Sequence, residues 1–139
     1  MPDLTEDALR RSGIKRSMRV LDLQCGTGEA SLLIARLTGY CGLVVGVDRS
    51  AEAVDAAERR ATLAGCCYWT RFVTADPTAF VPHGRFDAAV VRLPLLRQVK
   101  RVTFLRLSDC VRPGGILLVL GKPAGDVDSI LHRFGSRLS

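Results

Sequence analysis

The chain has 139 residues, of which 47% are hydrophobic and 24% charged. This composition excludes a disordered chain and predicts one domain, residues 1–139, with a single core. No apolar run reaches the roughly 20 residues that span a bilayer, and the polar first residues are unlike a secretory signal, so we expect a cytoplasmic protein. The net charge of +6 leaves a polyanion-binding face open, although no aromatic residues interleave with the basic ones.

Five cysteines are scattered along the chain, at Cys25, Cys41, Cys66, Cys67 and Cys110. None forms a C-x-x-C pair with metal-ligand spacing, and two adjacent cysteines are a poor arrangement for a chelate or a disulfide. We therefore predict reduced, mostly buried thiols that behave as small apolar side chains, and no metal site.

Strand and helix patterns alternate along the chain. Apolar runs predict buried strands at residues 18–23, 43–47, 70–75, 86–91 and 116–120. Helices are predicted at 29–38, 96–111 and 126–134, and between the N-cap Ser50 and the stop signal Gly65. Residues 113–115, Pro-Gly-Gly, predict a tight turn before the fifth strand. The alternation predicts an α/β fold: a doubly wound parallel sheet with helices on both faces and a ligand beyond the carboxyl ends of the strands.

The first strand ends in an acid and runs into a glycine loop, Val20-Leu21-Asp22-Leu23-Gln24-Cys25-Gly26-Thr27-Gly28. Glycine lets the backbone turn sharply and approach a ligand closely. The dinucleotide pattern G-x-G-x-x-G would need glycine where Ser31 stands, and a P-loop lysine is missing. The segment resembles the D-x-G-x-G-x-G loop of class I S-adenosylmethionine-dependent methyltransferases, with Gln24 in place of the first glycine. The resemblance implies that the cofactor is contacted by Asp22, Gln24, Cys25, Gly26, Thr27 and Gly28.

Two further acids end the second and third strands. Asp48 can accept hydrogen bonds from a ribose diol; the alternative is an acid that caps the next helix. The resemblance to the methyltransferase family implies that Asp76 accepts a hydrogen bond from the exocyclic amine of adenine. The alternative is a plain turn, because Asp-Pro is also a common turn sequence. The cofactor-binding residues implied here are Asp48, Arg49, Ala75, Asp76 and Pro77, with the Thr78 N–H as the donor that faces the adenine ring.

The fourth strand leads into Arg92-Leu93-Pro94-Leu95, which the resemblance places beside the reacting methyl group. The segment lacks the Asn/Asp-Pro-Pro-aromatic motif of the adenine- and glutamine-methylating subgroups, and it lacks the catalytic cysteine of the cytosine C5 subgroup. Arg92 is the candidate for orienting an anionic substrate and for a further cofactor contact. His83, in a loop, and His132, in the predicted last helix, are the histidines that could act as a base.

The methyltransferase family that the sequence resembles has a Rossmann-like sheet of order 3-2-1-4-5, followed by a helix and an antiparallel hairpin of two strands. Too few residues follow the fifth strand here for the helix and both strands. We therefore expect strand five to be an exposed apolar edge. Such an edge would be covered by a second copy of the chain, as in a homodimer, or by a partner subunit.

Three functions remain open at this point. The first is an S-adenosylmethionine-dependent methyltransferase that acts on an O, N or C nucleophile of a small molecule and releases S-adenosylhomocysteine. The basic charge favours the second, an RNA methyltransferase. Gln24 and the missing hairpin favour the third, a non-catalytic cofactor-binding or scaffold subunit. No membrane partner is expected.

Overall fold

The structure is a computed structural model. It describes residues 4–80, 82, 84–92, 109–120 and 129–133. Helices and strands alternate through most of this part of the chain. In chain order the elements are α1 (Leu4–Arg11), β1 (Arg19–Leu23), α2 (Glu29–Thr38), β2 (Leu43–Asp48), α3 (Ala51–Ala64), a short 3-10 helix (Cys67–Trp69), β3 (Thr70–Thr74), β4 (Phe86–Arg92), β5 (Val111–Leu120) and β6 (Ser129–Arg133).

The strands form one sheet in the order β3-β2-β1-β4-β5-β6. The first five strands pair in parallel, and β6 pairs with β5 in the antiparallel sense. The predicted doubly wound order 3-2-1-4-5 is therefore confirmed. Because the chain leaves β1 for β2 on one side and returns to β4 on the other, a crevice opens at the carboxyl end of β1.

The strands β1, β2, β4 and β5 bury side chains on both faces, as strands inside a parallel sheet do. Successive side chains point to opposite faces, so Val20 packs with Ile34 of α2 and Ala61 of α3, while Leu21 packs with Val119 in a second cluster. All three described helices of eight or more residues lie on the first face. The helix predicted at 96–111 falls largely outside the described residues, apart from two helical residues at 109–110 and the first residue of β5.

Local signals set the ends of α2 and α3. The range of α2 is the one predicted. At the start of α3 the Ser50 hydroxyl accepts a hydrogen bond from the Ala53 N–H at 3.2 Å, and α3 ends at Gly65, whose φ is +79°. Both the cap and the stop are confirmed. The helix α1 was not predicted, although Glu6 and Arg10 form an ion pair one turn apart on it, at 2.6 Å.

Strand β5 begins earlier than the sequence predicts. The turn residues lie inside the strand as an irregularity, because the partner of Phe86 is Val111 and the partner of Ala88 is already Ile116. Gly114 has the positive φ, +77°, that the predicted turn requires. The turn prediction therefore identified the backbone shape, and the error lay in starting the strand only after the turn.

The predicted helix at 126–134 is wrong, since Ser129–Arg133 form β6. Leu118 of β5 pairs with Leu131, at the centre of this antiparallel ladder. The edge of β5 offers a row of unpaired backbone groups, and pairing with them outweighs the weak helix preference of a five-residue segment. The expectation of an exposed edge on β5 is therefore also wrong, and no second copy or partner is needed to cover it.

Asp87 joins three strands at the amino edge of the sheet. Its Oδ2 accepts from the Arg19 backbone N–H at 2.8 Å, and its Oδ1 accepts from Arg112 Nε at 2.8 Å. The Arg19 guanidinium lies 5.4 Å from the centre of the Phe86 ring. These contacts fix the starts of β1, β4 and β5 relative to one another, at the edge opposite the crevice.

The cysteines are all unpaired thiols. Cys25 and Cys66 are buried as predicted, whereas Cys41 and Cys67 are exposed and Cys110 is half-buried, so the prediction of mostly buried thiols fails for two of them. Within the described ranges no three or more His, Cys, Asp or Glu side chains could hold a metal ion together. A membrane-spanning helix is likewise not found in that part of the chain.

Candidate functional site

The loop between β1 and α2 has three residues in the left-handed region. Gln24 has a φ of +64°, Gly26 of +58° and Gly28 of +89°. A β-carbon on Gly26 would meet no heavy atom within 4 Å, whereas one on Gly28 would lie 3.0 Å from Ala57 Cβ of α3. The first glycine thus borders open space at the crevice, and the second allows α3 to pack closely.

Cys25 anchors this loop to the sheet. Its backbone N–H donates to the Val47 carbonyl at 3.0 Å, and its side chain is buried beside Gly46, where an added β-carbon would lie 3.0 Å from the sulfur. Burial raises the pKa of the Cys25 thiol to about 12, and the charges of Asp22 and Asp48 act in the same direction. The thiol therefore stays protonated at neutral pH and is not a nucleophile.

Asp22, at the carboxyl end of β1, is fully buried and has a partner for each oxygen. Oδ2 accepts from Ser31 Oγ at 2.6 Å, and Oδ1 accepts from Arg92 Nη1. The same Nη1 donates to the Leu23 carbonyl at 3.2 Å. Ser31 was missed as a site residue; its place in the first turn of the helix that follows the acid was the available signal.

Asp48, at the end of β2, holds the loop and the start of α3 together. Its Oδ2 accepts from the Gly26 N–H and its Oδ1 from the Ser50 N–H, both at 2.9 Å. The Ala75 N–H donates to the Asp48 carbonyl at 2.9 Å, which brings the end of β3 alongside. A carboxylate has about four acceptor positions, so Asp48 retains capacity for a ligand.

Asp76, just after β3, is exposed and uses one oxygen for three contacts. Oδ1 accepts from the Thr78 N–H at 2.9 Å, from Thr78 Oγ1 at 2.7 Å and from Arg49 Nη2 at 2.9 Å. The Thr78 hydroxyl and N–H, together with Arg49, lower the pKa of Asp76. The Thr78 N–H, predicted to face an adenine ring, donates to Asp76 Oδ1 in this turn, which contains the buried Pro77.

The exposed side of the loop between β1 and α2 makes a contact that the sequence did not indicate. Thr27 is exposed, and its Oγ1 accepts from Arg60 Nη1 of α3 at 3.2 Å. Arg60 also lies 3.8 Å from a carboxylate oxygen of Glu29. Arg60 therefore fixes the exposed side of the loop, while Gln24 stays exposed.

The structure places four charged residues at the carboxyl ends of neighbouring strands: Asp22 on β1, Asp48 on β2, Asp76 after β3 and Arg92 on β4. The predicted residues Gln24–Gly28, Arg49, Ala75 and Pro77 lie between them. His83 lies outside the described residues. His132 belongs to β6 rather than to a helix, and its side chain is not described. No base is therefore assigned.

Comparisons with known proteins agree with this arrangement. The family described as "Methyltransferase domain" matches residues 20–115. A "Ubiquinone/menaquinone biosynthesis C-methyltransferase UbiE" of Azotobacter vinelandii is 33% identical over 111 residues, 78% of this chain and 44% of that protein. The chain thus spans less than half of this curated relative.

Two solved structures have the same fold. An S-adenosylmethionine-dependent methyltransferase from Thiobacillus denitrificans, in complex with S-adenosyl-L-homocysteine, is 30% identical with a TM-score of 0.66, over 82% of this chain and 44% of that one. An RNA methyltransferase from Salinibacter ruber has a TM-score of 0.79 over 100% of this chain and 97% of that one. At 18% identity, the second comparison shows the fold alone.

Proposed function

Because the chain belongs to the class I S-adenosylmethionine-dependent methyltransferases, we propose that it binds S-adenosylmethionine at the carboxyl edge of β1, β2 and β3. We further propose that it transfers the methyl group to an O, N or C nucleophile of a small molecule. The observation that carries the proposal is the open glycine of the loop lying between carboxylates on three adjacent strand ends.

The residues at this edge fit the cofactor. The open space beside Gly26 lets a ligand reach the loop backbone without meeting a side chain. Asp48 keeps acceptor positions for the ribose hydroxyls. Asp76 keeps Oδ2, which has no partner within the described part of the chain, as an acceptor for the amine of adenine.

When bound, S-adenosylmethionine supplies an electrophilic methyl group on its sulfonium. The chain's own residues hold the cofactor in place and orient it. The contact between Gly26 and Asp48 fixes the loop relative to β2, and the three contacts to Asp76 Oδ1 hold its other oxygen in one direction. Positioning of this kind can supply up to about 7–11 kcal/mol of a bimolecular barrier.

We propose an aromatic acceptor of the quinol class. The support is the name of the Azotobacter vinelandii relative, a C-methyltransferase of ubiquinone and menaquinone biosynthesis. A hydroquinone ring carbon is made nucleophilic by its own hydroxyl groups, so such an acceptor needs orientation more than a strong base.

RNA is the less favoured acceptor, because much of the basic charge near the N-terminus is already paired. Arg10 binds Glu6 at 2.6 Å, and Arg11 binds Asp7 at 3.1 Å. Arg19 stacks on Phe86. Arg97, Lys100 and Arg101, which fall within the predicted helix at 96–111, lie outside the described residues.

Calorimetric titration with S-adenosylmethionine and S-adenosylhomocysteine tests the cofactor site. We expect micromolar binding, about −8 kcal/mol, that weakens at least about tenfold in Asp48→Asn, because an amide cannot accept from both the Gly26 and Ser50 N–H groups. Asp55→Asn is the matched control, since Asp55 is exposed on α3 away from the loop. Absence of binding to the wild-type protein, or equal weakening by both variants, would overturn the cofactor assignment.

Turnover is tested separately by incubating the protein with labelled S-adenosylmethionine and a 1,4-naphthohydroquinone that has an unsubstituted ring carbon. We expect a ring-methylated product that Asp48→Asn reduces and Asp55→Asn does not. Labelling of RNA at low salt without labelling of the quinol would favour the RNA function instead.

A further inference from the structure

Arg92 is the charged group that lies across the crevice. It is the last residue of β4, and its Nη1 reaches the neighbouring strand β1, where it donates to Asp22 Oδ1 and to the Leu23 carbonyl. The crevice at this point, where the strand order reverses, is where a doubly wound sheet binds its ligand. A ligand that enters there meets the Arg92 guanidinium.

Within the described residues, the protein uses only the Nη1 nitrogen of this guanidinium. A guanidinium has five N–H donors in a planar fork, and Nη1 alone has partners among the described residues. The Arg92 side chain is 23% exposed, against 42% or more for the other arginines that form ion pairs in the described part of the chain. The other nitrogens of the guanidinium are therefore left without partners in the described part of the chain, and they belong to a side chain that Asp22 anchors at the crevice and that is partly shielded from water.

The charges along the carboxyl edge differ from one side of the crevice to the other. On the side of β2 and β3, Asp48 and Asp76 offer acceptors, which suit the hydroxyls and amine of a nucleoside. On the side of β1 and β4 the Asp22 charge is neutralised, and the guanidinium offers donors. A planar donor fork matches a carboxylate in two-point geometry and repels ammonium and sulfonium groups.

We propose that Arg92 receives the α-carboxylate of the cofactor's amino-acid end on the outer edge of its guanidinium and so fixes the direction in which the cofactor lies across the crevice. This inference rests on the proposed cofactor site. It makes Arg92 a binding residue that selects ligands with a carboxylate, beyond its role as the partner of Asp22.

Three ligands distinguish the contribution of the carboxylate from that of the amine. They are S-adenosylhomocysteine, its decarboxylated analogue, which keeps the amine, and methylthioadenosine, which lacks both groups. Calorimetry should show that the wild-type protein binds S-adenosylhomocysteine at least roughly tenfold more tightly than the decarboxylated analogue. In Arg92→Gln the preference should fall below about threefold, while methylthioadenosine affinity changes by less than about threefold, which also shows that the variant is folded. Arg92→Lys should be intermediate, because it keeps the charge and loses the fork.

The double variant Asp22→Asn/Arg92→Gln guards against a folding effect, since it leaves no unpaired buried carboxylate. It should lose the carboxylate preference as Arg92→Gln does. Retention of the full preference in either variant, or tighter binding of both amine-bearing ligands in Arg92→Gln, would overturn the inference and leave the cofactor site standing. Failure of the proposed function is distinct, because then none of the three ligands binds the wild-type protein.

Discussion

Arg92→Gln also tests the buried ion pair at the carboxyl edge through stability. Asp22 has no exposed surface, and its oxygens depend on Ser31 Oγ and Arg92 Nη1. Removing one partner of a buried ion pair costs about 3–5 kcal/mol. Because the Arg92 side chain is 23% exposed, water can reach the site from that side, and we expect a loss of roughly 2–3 kcal/mol in the free energy of unfolding. That is a large share of the roughly 5–15 kcal/mol typical of a domain.

Urea unfolding followed by circular dichroism measures this loss. Asp22→Asn/Arg92→Gln is the matched control, because it removes both charges, and we expect it to regain at least half of the loss. An Arg92→Gln protein within about 0.5 kcal/mol of wild type would refute the reasoning. So would a double variant less stable than Arg92→Gln, since the loss would then not come from the unpaired carboxylate.

Three further predictions concern the loop, the sheet and pH. Gln24→Gly should raise the free energy of unfolding by about 0.5–1 kcal/mol, because a φ of +64° favours glycine; an unchanged urea midpoint would contradict this. Gly115→Ala should lower it by about 1–3 kcal/mol, since a β-carbon would lie 2.5 Å from Val111 Cγ1 and 2.8 Å from the Arg112 carbonyl oxygen; a thermal melt that matches wild type would exclude such a clash. The pKa of Cys25 is raised from 9.0 to about 12, so its contribution to stability is full below pH 9 and is lost as the pH rises towards 12, by at most about 1.4 kcal/mol per pH unit. Cys25→Ala should therefore lose stability less steeply between pH 9 and 11 in urea titrations, and equal slopes would rule out this thiol as the cause.

The sequence predicts the fold well where local chemistry decides it. The cap at Ser50 and the stop at Gly65 place α3 correctly, and apolar runs locate the five parallel strands to within a few residues. The predictions fail where pairing between segments distant in the chain determines the secondary structure. Ser129–Arg133 has no strong pattern of its own and becomes a strand because the edge of β5 is available.

The candidate site was likewise predictable only in part. The positions of its acidic residues could be predicted because each ends a predicted strand, and the carboxyl ends of parallel strands share one edge of the sheet. Their partners could not, because the contact between Arg92 and Asp22 joins residues 70 positions apart, and that between Arg60 and Thr27 joins residues 33 positions apart. Sequence alone likewise does not show that Asp76 turns back to accept from the Thr78 N–H.

The central position of β1 has a consequence for synthesis on the ribosome. The contact that joins the starts of β1 and β4, between Arg19 and Asp87, spans 68 residues. At roughly 5–20 residues per second, translation needs about 3–14 s to cover that distance. For that interval β1 can pair only with β2, and its other side is an apolar edge open to other nascent chains. One of the two central strands of the sheet is thus left with an open apolar edge while the polypeptide is being made.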